Sequence, residues 1–159
     1  MSSPLNNEDS GARAALAILR IGLGCLFIWV FLENLGKGLY SPSGYSGLIN
    51  YYLEKGHGPQ LLKSVMALMA SHATVAGPLQ GFTEITFGVF LVLGFLTRPV
   101  ALGAFFFLST LWLAELGTAW IWELLMPMIV ALVLVIGAAG RKWGIDAILA
   151  RRYPRIPLW

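Results

Sequence analysis

The chain has 159 residues, 57% hydrophobic and only 12% charged, with a mean hydropathy of +0.73 and a formal net charge of +3. A water-soluble domain carries about a quarter charged residues, so the composition excludes a soluble globular enzyme and points to one integral membrane domain. Cys25 is the only cysteine, which excludes an internal disulfide, a CxxC redox pair and a cysteine-bound cluster.

The opening stretch, MSSPLNNEDSGARA, is polar and carries both charge signs. It lacks the basic start, short apolar run and small-residue cleavage site of a signal peptide. Residues 1–13 are therefore expected to form a polar cytoplasmic N-terminus. A first span is predicted from Ala14 to Leu35, with Arg20 inside it. Arg20 falls about six residues from the inner end, within snorkelling reach of the headgroups.

Gly36 to Thr74 follows a different pattern. "SPSG" and "GHGP" are turn signals. Between them "YSGLINYYLEK" sets Leu48, Ile49, Tyr52 and Leu53 on one helical face. After them "QLLKSVMALMASHA" is apolar, but joining it to the next span would need a helix of about 57 Å, nearly twice a bilayer. Gly77-Pro78 is the expected break. Residues 46–73 read as one or two short helices that lie on the membrane surface or fold back into the protein.

Three more spans are expected: Val75 to Leu96, Val100 to Leu116 and Trp120 to Ala139. The links "TRP" and "LGTAW" suit only tight antiparallel connections, and Pro99 fits the first turn of a helix. The predicted fold is all-α: a four-helix transmembrane bundle over 14–139, an extra interfacial helical segment between helices one and two, and a basic cytoplasmic tail over 140–159. With both termini on one side, that side holds Arg13, Arg20, Arg98, Arg141, Lys142, Arg151, Arg152 and Arg155. The other holds Lys37, Lys55 and Lys63. This bias places both termini in the cytoplasm. Trp112, Trp120 and Trp122 then mark an outer aromatic belt, with Trp143, Tyr153 and Trp159 at or beyond the inner one. The tail "RKWGIDAILARRYPR" is expected against anionic lipid or an acidic partner surface.

The second span, "LQGFTEITFGVFLVLGFLT", contains Glu84. An ionisable group about 14 Å into a membrane helix is costly and marks a functional site by default. Glu33 lies near the outer end of the first span with Lys37 one turn on, the favourable order for a helical pair. Glu115 closes the third span and Glu123 opens the fourth. These four carboxylates are half of the chain's eight acidic residues. Pro127 leaves the Glu123 carbonyl without its helical donor. Gly77, Gln80, Gly81 and Gly88 share a face with Glu84, and small residues there admit a neighbouring helix or a flat ligand. The bland alternative is that Glu33, Lys37, Glu115 and Glu123 are solvated helix ends and Glu84 is a structural hydrogen-bonding group.

His57 and His72 both fall outside the four predicted spans, so no intramembrane haem is expected. No HExxH, phosphate-binding glycine loop or G-x-S-x-G occurs, and "RIGLG" lies inside a span, without the strand a dinucleotide site needs. No metal, nucleotide or nucleic-acid binding is expected. A transporter has no inverted repeat in its favour.

"LRIGLGCLFIWVFLENLGKGL", "GFTEITFGVFLVLGFLTRPVALG", the "WE" opening the fourth span and "GRKWGIDAIL" after it resemble the DoxX/DoxD family of four-helix bacterial and archaeal membrane proteins. The stretches cover about residues 16 to 150. The closing motif departs from the family with "KWG" where an aromatic-Ser pair is common, and 40–74 carries no diagnostic motif. The resemblance implies a subunit of a quinone-linked oxidoreductase of the thiosulfate:quinone type in the cytoplasmic (inner) membrane, with other membrane subunits as partners and quinone as cofactor. Its positions of interest are Arg20, Lys37, Glu84, Arg98, Glu123, Arg141 and Asp146. On this reading Glu84, Glu123 and Lys37 are the candidate catalytic residues, and Glu33, Glu115 and Arg20 belong to a quinone or proton path. The competing reading is a non-catalytic accessory or scaffold subunit packed against a larger redox or photosynthetic complex.

Overall fold

The computed structural model describes the backbone of residues 4–137 and 139–156 and the side chains of residues 10–137 and 139–156. Trp159 lies outside the described residues. The described elements are helices throughout: α1 Pro4–Gly36, α2 Pro42–Lys55, α3 Gln60–Ser71, α4 Ala73–Leu93, α5 Thr97–Ala114, α6 Ile121–Gly137, a 3-10 turn Ala139–Arg141, and α7 Ile145–Arg152. The stretch Ser10–Gly36 of α1, together with α4 and α5, is long and apolar enough to cross a membrane. α6 is apolar but has 17 residues, about 26 Å of helix. It begins one residue later and ends two earlier than the predicted fourth span. The large exposed side chains Trp29, Phe82, Phe106 and Ile136 give these helices outward faces suited to lipid. The chain is a membrane protein.

α1 packs along α4 and more briefly along α6, while α5 packs along α6 and touches α4. The α1–α4 crossing is close because glycine meets glycine. A Cβ on Gly24 would stand 2.8 Å from the Gly88 carbonyl oxygen, and one on Gly88 3.0 Å from that of Gly24. Lipid offers no hydrophobic drive for helix pairing, so such backbone approach and tight packing must supply it. Leu23, Phe27, Leu91, Ala101, Leu108 and Leu134 fill the space between the helices. Phe27, Phe87 and Phe107 meet edge-on or tilted, with centroids 5.6 to 6.2 Å apart.

The segment between α1 and α4 folds back onto the protein. Ser41 caps α2 by accepting the Gly44 N–H at 3.1 Å, and Pro42 occupies the first helical turn. Tyr45, Ile49 and Met66 are buried against Ala73, Ala76 and Ala114. Lys63 donates to the Gly56 and Leu53 carbonyls at 2.8 and 3.3 Å, closing the end of α2 with a cation. The break before α4 is at His72 (φ −114°, ψ +32°), and Gly77 and Pro78 lie inside α4. Gly77 serves close approach rather than a turn: a Cβ there would come within 2.7 Å of the Tyr40 carbonyl oxygen and 3.2 Å of the Tyr45 Cβ.

At the opposite end, sequence-distant residues lock the α4–α5 turn. Gly94 ends α4 in the left-handed region, and Leu96 shares that conformation at φ +50°, which is strained for a residue with a side chain. The Asp146 carboxylate holds it, accepting the Leu96 and Thr97 N–H groups at 2.8 Å each. The Asp146 N–H in turn donates to the Gly94 carbonyl at 2.9 Å. Arg20 does not snorkel. It is fully buried, donates to the Trp143 carbonyl at 2.9 Å and lies within electrostatic reach of Asp146. The residues before α7 fold over it, and its guanidinium fits because Gly94 has no Cβ, which would stand 1.3 Å from Nη1.

Asp146→Ala strands two backbone N–H groups at the strained turn. It is expected to lower stability by about 3 kcal/mol, read as a large drop in thermal midpoint in mild detergent. Substitution at exposed Arg152 should leave the midpoint within a degree or two of wild type.

Candidate functional site

α2 and α3 roof a pocket of about 680 Å³ whose walls come from α1, α4, α5 and α6. Its lining is largely apolar, with Leu48, Met66, Phe107 and Leu111 among the wall residues, and its polar groups are Asn34, Lys37, Tyr45, Tyr52, Gln80, Glu84, Thr110, Glu115 and Glu123. A space of about 210 Å³ shares Glu84, Glu115 and Glu123 with it and reaches Phe27 and Pro127. Carboxylates from α4, from the end of α5 and from α6 thus border one cavity.

Glu84 is 2% exposed. One carboxylate oxygen, Oε1, accepts from Gln80 Nε2 at 2.9 Å, and the other, Oε2, accepts from the Tyr40 hydroxyl and from Asn34 Nδ2 at 3.4 Å. Gln80 is one helical turn before Glu84, so α4 itself supplies that contact. Asn34 comes from the last turn of α1. Tyr40 comes from the turn after it and rests on Gly81, where a Cβ would meet the ring at 3.1 Å, while Phe31 stacks on it at 5.5 Å. Burial, then the hydrogen bond and charge of Glu84, push the Tyr40 phenol up, so its proton stays in place to be donated.

A second acidic station lies at the end of α5. Glu115 accepts from the Tyr52 hydroxyl at 3.0 Å. Burial pushes its carboxyl above the usual range, the Tyr52 hydrogen bond opposes that, and the charge of Glu123 adds to it. Glu123 is solvent-exposed on the first turn of α6. Beside this station a groove of about 500 Å³ is lined by Glu115, Trp112, Trp120 and Trp122, and the last two stack with centroids 6.5 Å apart.

The remaining predicted residues divide. Lys37 reaches the pocket rim, but its ammonium pairs with Glu33 at 2.6 Å, both side chains being about half exposed. This is the helical pair the spacing predicts. Glu33 does not line the pocket. Arg20 and Asp146 belong to the lock at the far end and have no contact with the site. Sequence reasoning missed Tyr40, Asn34 and Tyr45, and it placed Tyr52 on the apolar face of a helix without a role at the site. Only the tyrosine spacing in "YSGLINYY" hinted that α2 turns hydroxyls as well as aliphatic groups inward.

Apolar helices of membrane length around a pocket with a buried carboxylate define a membrane protein with an internal polar site. The family model described as "TQO small subunit DoxD" matches residues 16–157, and the chain belongs to that family. No curated protein and no solved structure matches it.

The raised Glu115 carboxyl has a consequence for pH. The folded state keeps a proton that the unfolded chain releases near 4.5, so the associated stability is fully present below that pH and is lost as pH rises through the raised value. The thermal midpoint in mild detergent is expected to fall over that interval. Glu115→Gln should flatten the decline, measured by scanning fluorimetry in matched buffers.

Proposed function

We propose that the chain is a membrane subunit of a quinone-linked oxidoreductase and that quinone enters the pocket beneath α2 and α3. The observation that carries this reading is Glu84: a buried carboxylate, oriented by three donors, on the wall of a mostly apolar cavity. Membership of the DoxD family supports the same reading, since the family is described as the small subunit of TQO. α1, α4, α5 and α6 are read as a four-helix transmembrane bundle in a prokaryotic cytoplasmic membrane. The distribution of Lys and Arg supports an orientation with both termini inside and the pocket in the outer half.

The residues fit such an occupant. Leu48, Met66, Phe107 and Leu111 offer apolar contacts for a ring and tail, while Glu84 offers a proton-exchanging group. Bound quinone supplies a two-electron, two-proton acceptor. Gln80, Asn34 and Tyr40 hold the Glu84 carboxylate in one orientation, so that proton transfer at its oxygens needs little rearrangement. Glu115 takes up a proton readily for a carboxylate, and Glu123 beside it is open to solvent, which together form a route to the surface. α2 and α3 exclude bulk water from Glu84. Electrons arrive from a partner subunit.

Glu84→Gln keeps the side chain's shape and removes its proton exchange. In the intact membrane complex it is expected to lower quinone-dependent turnover by about 100-fold while the subunits still assemble, checked by native gel and activity assay. Unchanged turnover and quinone affinity would assign the chain a non-catalytic role within a larger assembly.

A further inference from the structure

Three tyrosine hydroxyls surround the pocket region, and two have partners: Tyr40 donates to Glu84 and Tyr52 to Glu115. The third does not. Tyr45 is 1% exposed, lines the pocket, and its hydroxyl oxygen has no hydrogen-bond partner among the described residues. Buried hydroxyls in folded proteins are almost always paired, because an unpaired one forfeits its contacts with water. A phenylalanine would fill the same volume without that cost.

The position of Tyr45 is fixed from several sides. Its N–H donates to the Ser41 carbonyl at 2.8 Å, and its Cβ packs where α4 presents Gly77. The ring belongs to the apolar cluster with Ile49, Met66, Ala73, Ala76 and Ala114. Burial first, and the negative charge of Glu84 second, push its phenol up, so the group is a hydrogen-bond donor at neutral pH. The cavity therefore offers an accepting station on α4 and an unpartnered donor on the roof helix α2.

We infer that Tyr45 is a ligand-binding residue whose hydroxyl donates to an acceptor oxygen of the pocket's occupant, a carbonyl oxygen in the case of quinone. The inference rests on the quinone reading of this pocket and adds a second, independently placed contact to it. One donor and one acidic group on different elements would orient a flat ring that apolar walls alone would leave free to turn. α2 then serves as a recognition element as well as a cover.

The test is equilibrium binding to the purified full-length chain in mild detergent, with two probes: a benzoquinone bearing a ten-carbon tail, and the alkylbenzene of the same tail, which lacks both oxygens. Tyr45→Phe is expected to weaken benzoquinone binding by about tenfold, to leave alkylbenzene binding unchanged, and to leave the ligand-free thermal midpoint unchanged or higher. Equal benzoquinone affinity in the two forms overturns the inference while sparing the quinone site. A parallel loss for both probes also overturns it, because the substitution would then have altered the shape of the cavity. A wild-type chain that binds the alkylbenzene but gains nothing from the quinone oxygens overturns the quinone reading itself, and this inference with it.

Discussion

A carboxylate buried away from water has to find its partners inside the protein, because apolar surroundings offer none. Two buried carboxylates meet that constraint in opposite ways. Asp146 accepts two backbone N–H groups at the start of α5 and lies within reach of the Arg20 charge. Its partners are main chain, its surroundings are close-packed, and it borders neither of the two described cavities that Glu84 lines. Glu84 takes side-chain donors from two other segments and from its own helix, and it borders open space. Backbone partners fix a fold. Side-chain partners can exchange protons and accommodate an occupant.

The two carboxylates also explain how the chain divides its length. The Asp146 lock holds the α4–α5 turn from the far end, using a segment more than forty residues downstream. The opposite end carries the cavity. The segment between α1 and α4 provides the furniture: a turn that carries Tyr40 to Glu84, then two short helices that close over the opening. Glycines on α4 make both approaches feasible, Gly77 beneath Tyr45 and the Tyr40 backbone, Gly81 beneath the Tyr40 ring. The small-residue face of α4 thus serves the roof as much as it serves α1.

The apolar helices and the inward face of α4 were legible in the sequence, because hydropathy and helical period act locally. Gln80 and the Glu33–Lys37 pair were legible for the same reason, each one turn from its partner. What escaped was tertiary. Asn34 and Tyr40 reach Glu84 only because α1 ends where it does and the chain reverses at once. Arg20 lay at a depth from which an arginine can snorkel, and nothing local told that residues 143–146 would fold back to cover it. The break before α4 was misplaced at Gly77-Pro78 because glycine and proline usually mark turns, whereas here the glycine answers to packing. The family motifs pointed to both ends without separating them: Arg20 and Asp146 belong to the lock, Glu84 and Glu123 to the cavity.

That separation bears on where the donor of a quinone-linked reaction would act. Glu84, Glu115 and Glu123 all border the pocket, while Lys37 at its rim is engaged by Glu33. A small oxyanion approaching such a cavity meets three carboxyl groups, and the lysine at its rim is paired with Glu33, so Coulomb repulsion from any ionised member disfavours its entry. A neutral, largely apolar acceptor suffers no such penalty. On the proposed quinone reading, this chain shelters a lipid-soluble acceptor and manages its protons. The exposed Trp120 and Trp122 lie beside the Glu115 end of the pocket, so that end presents aromatic surface next to the acidic groups.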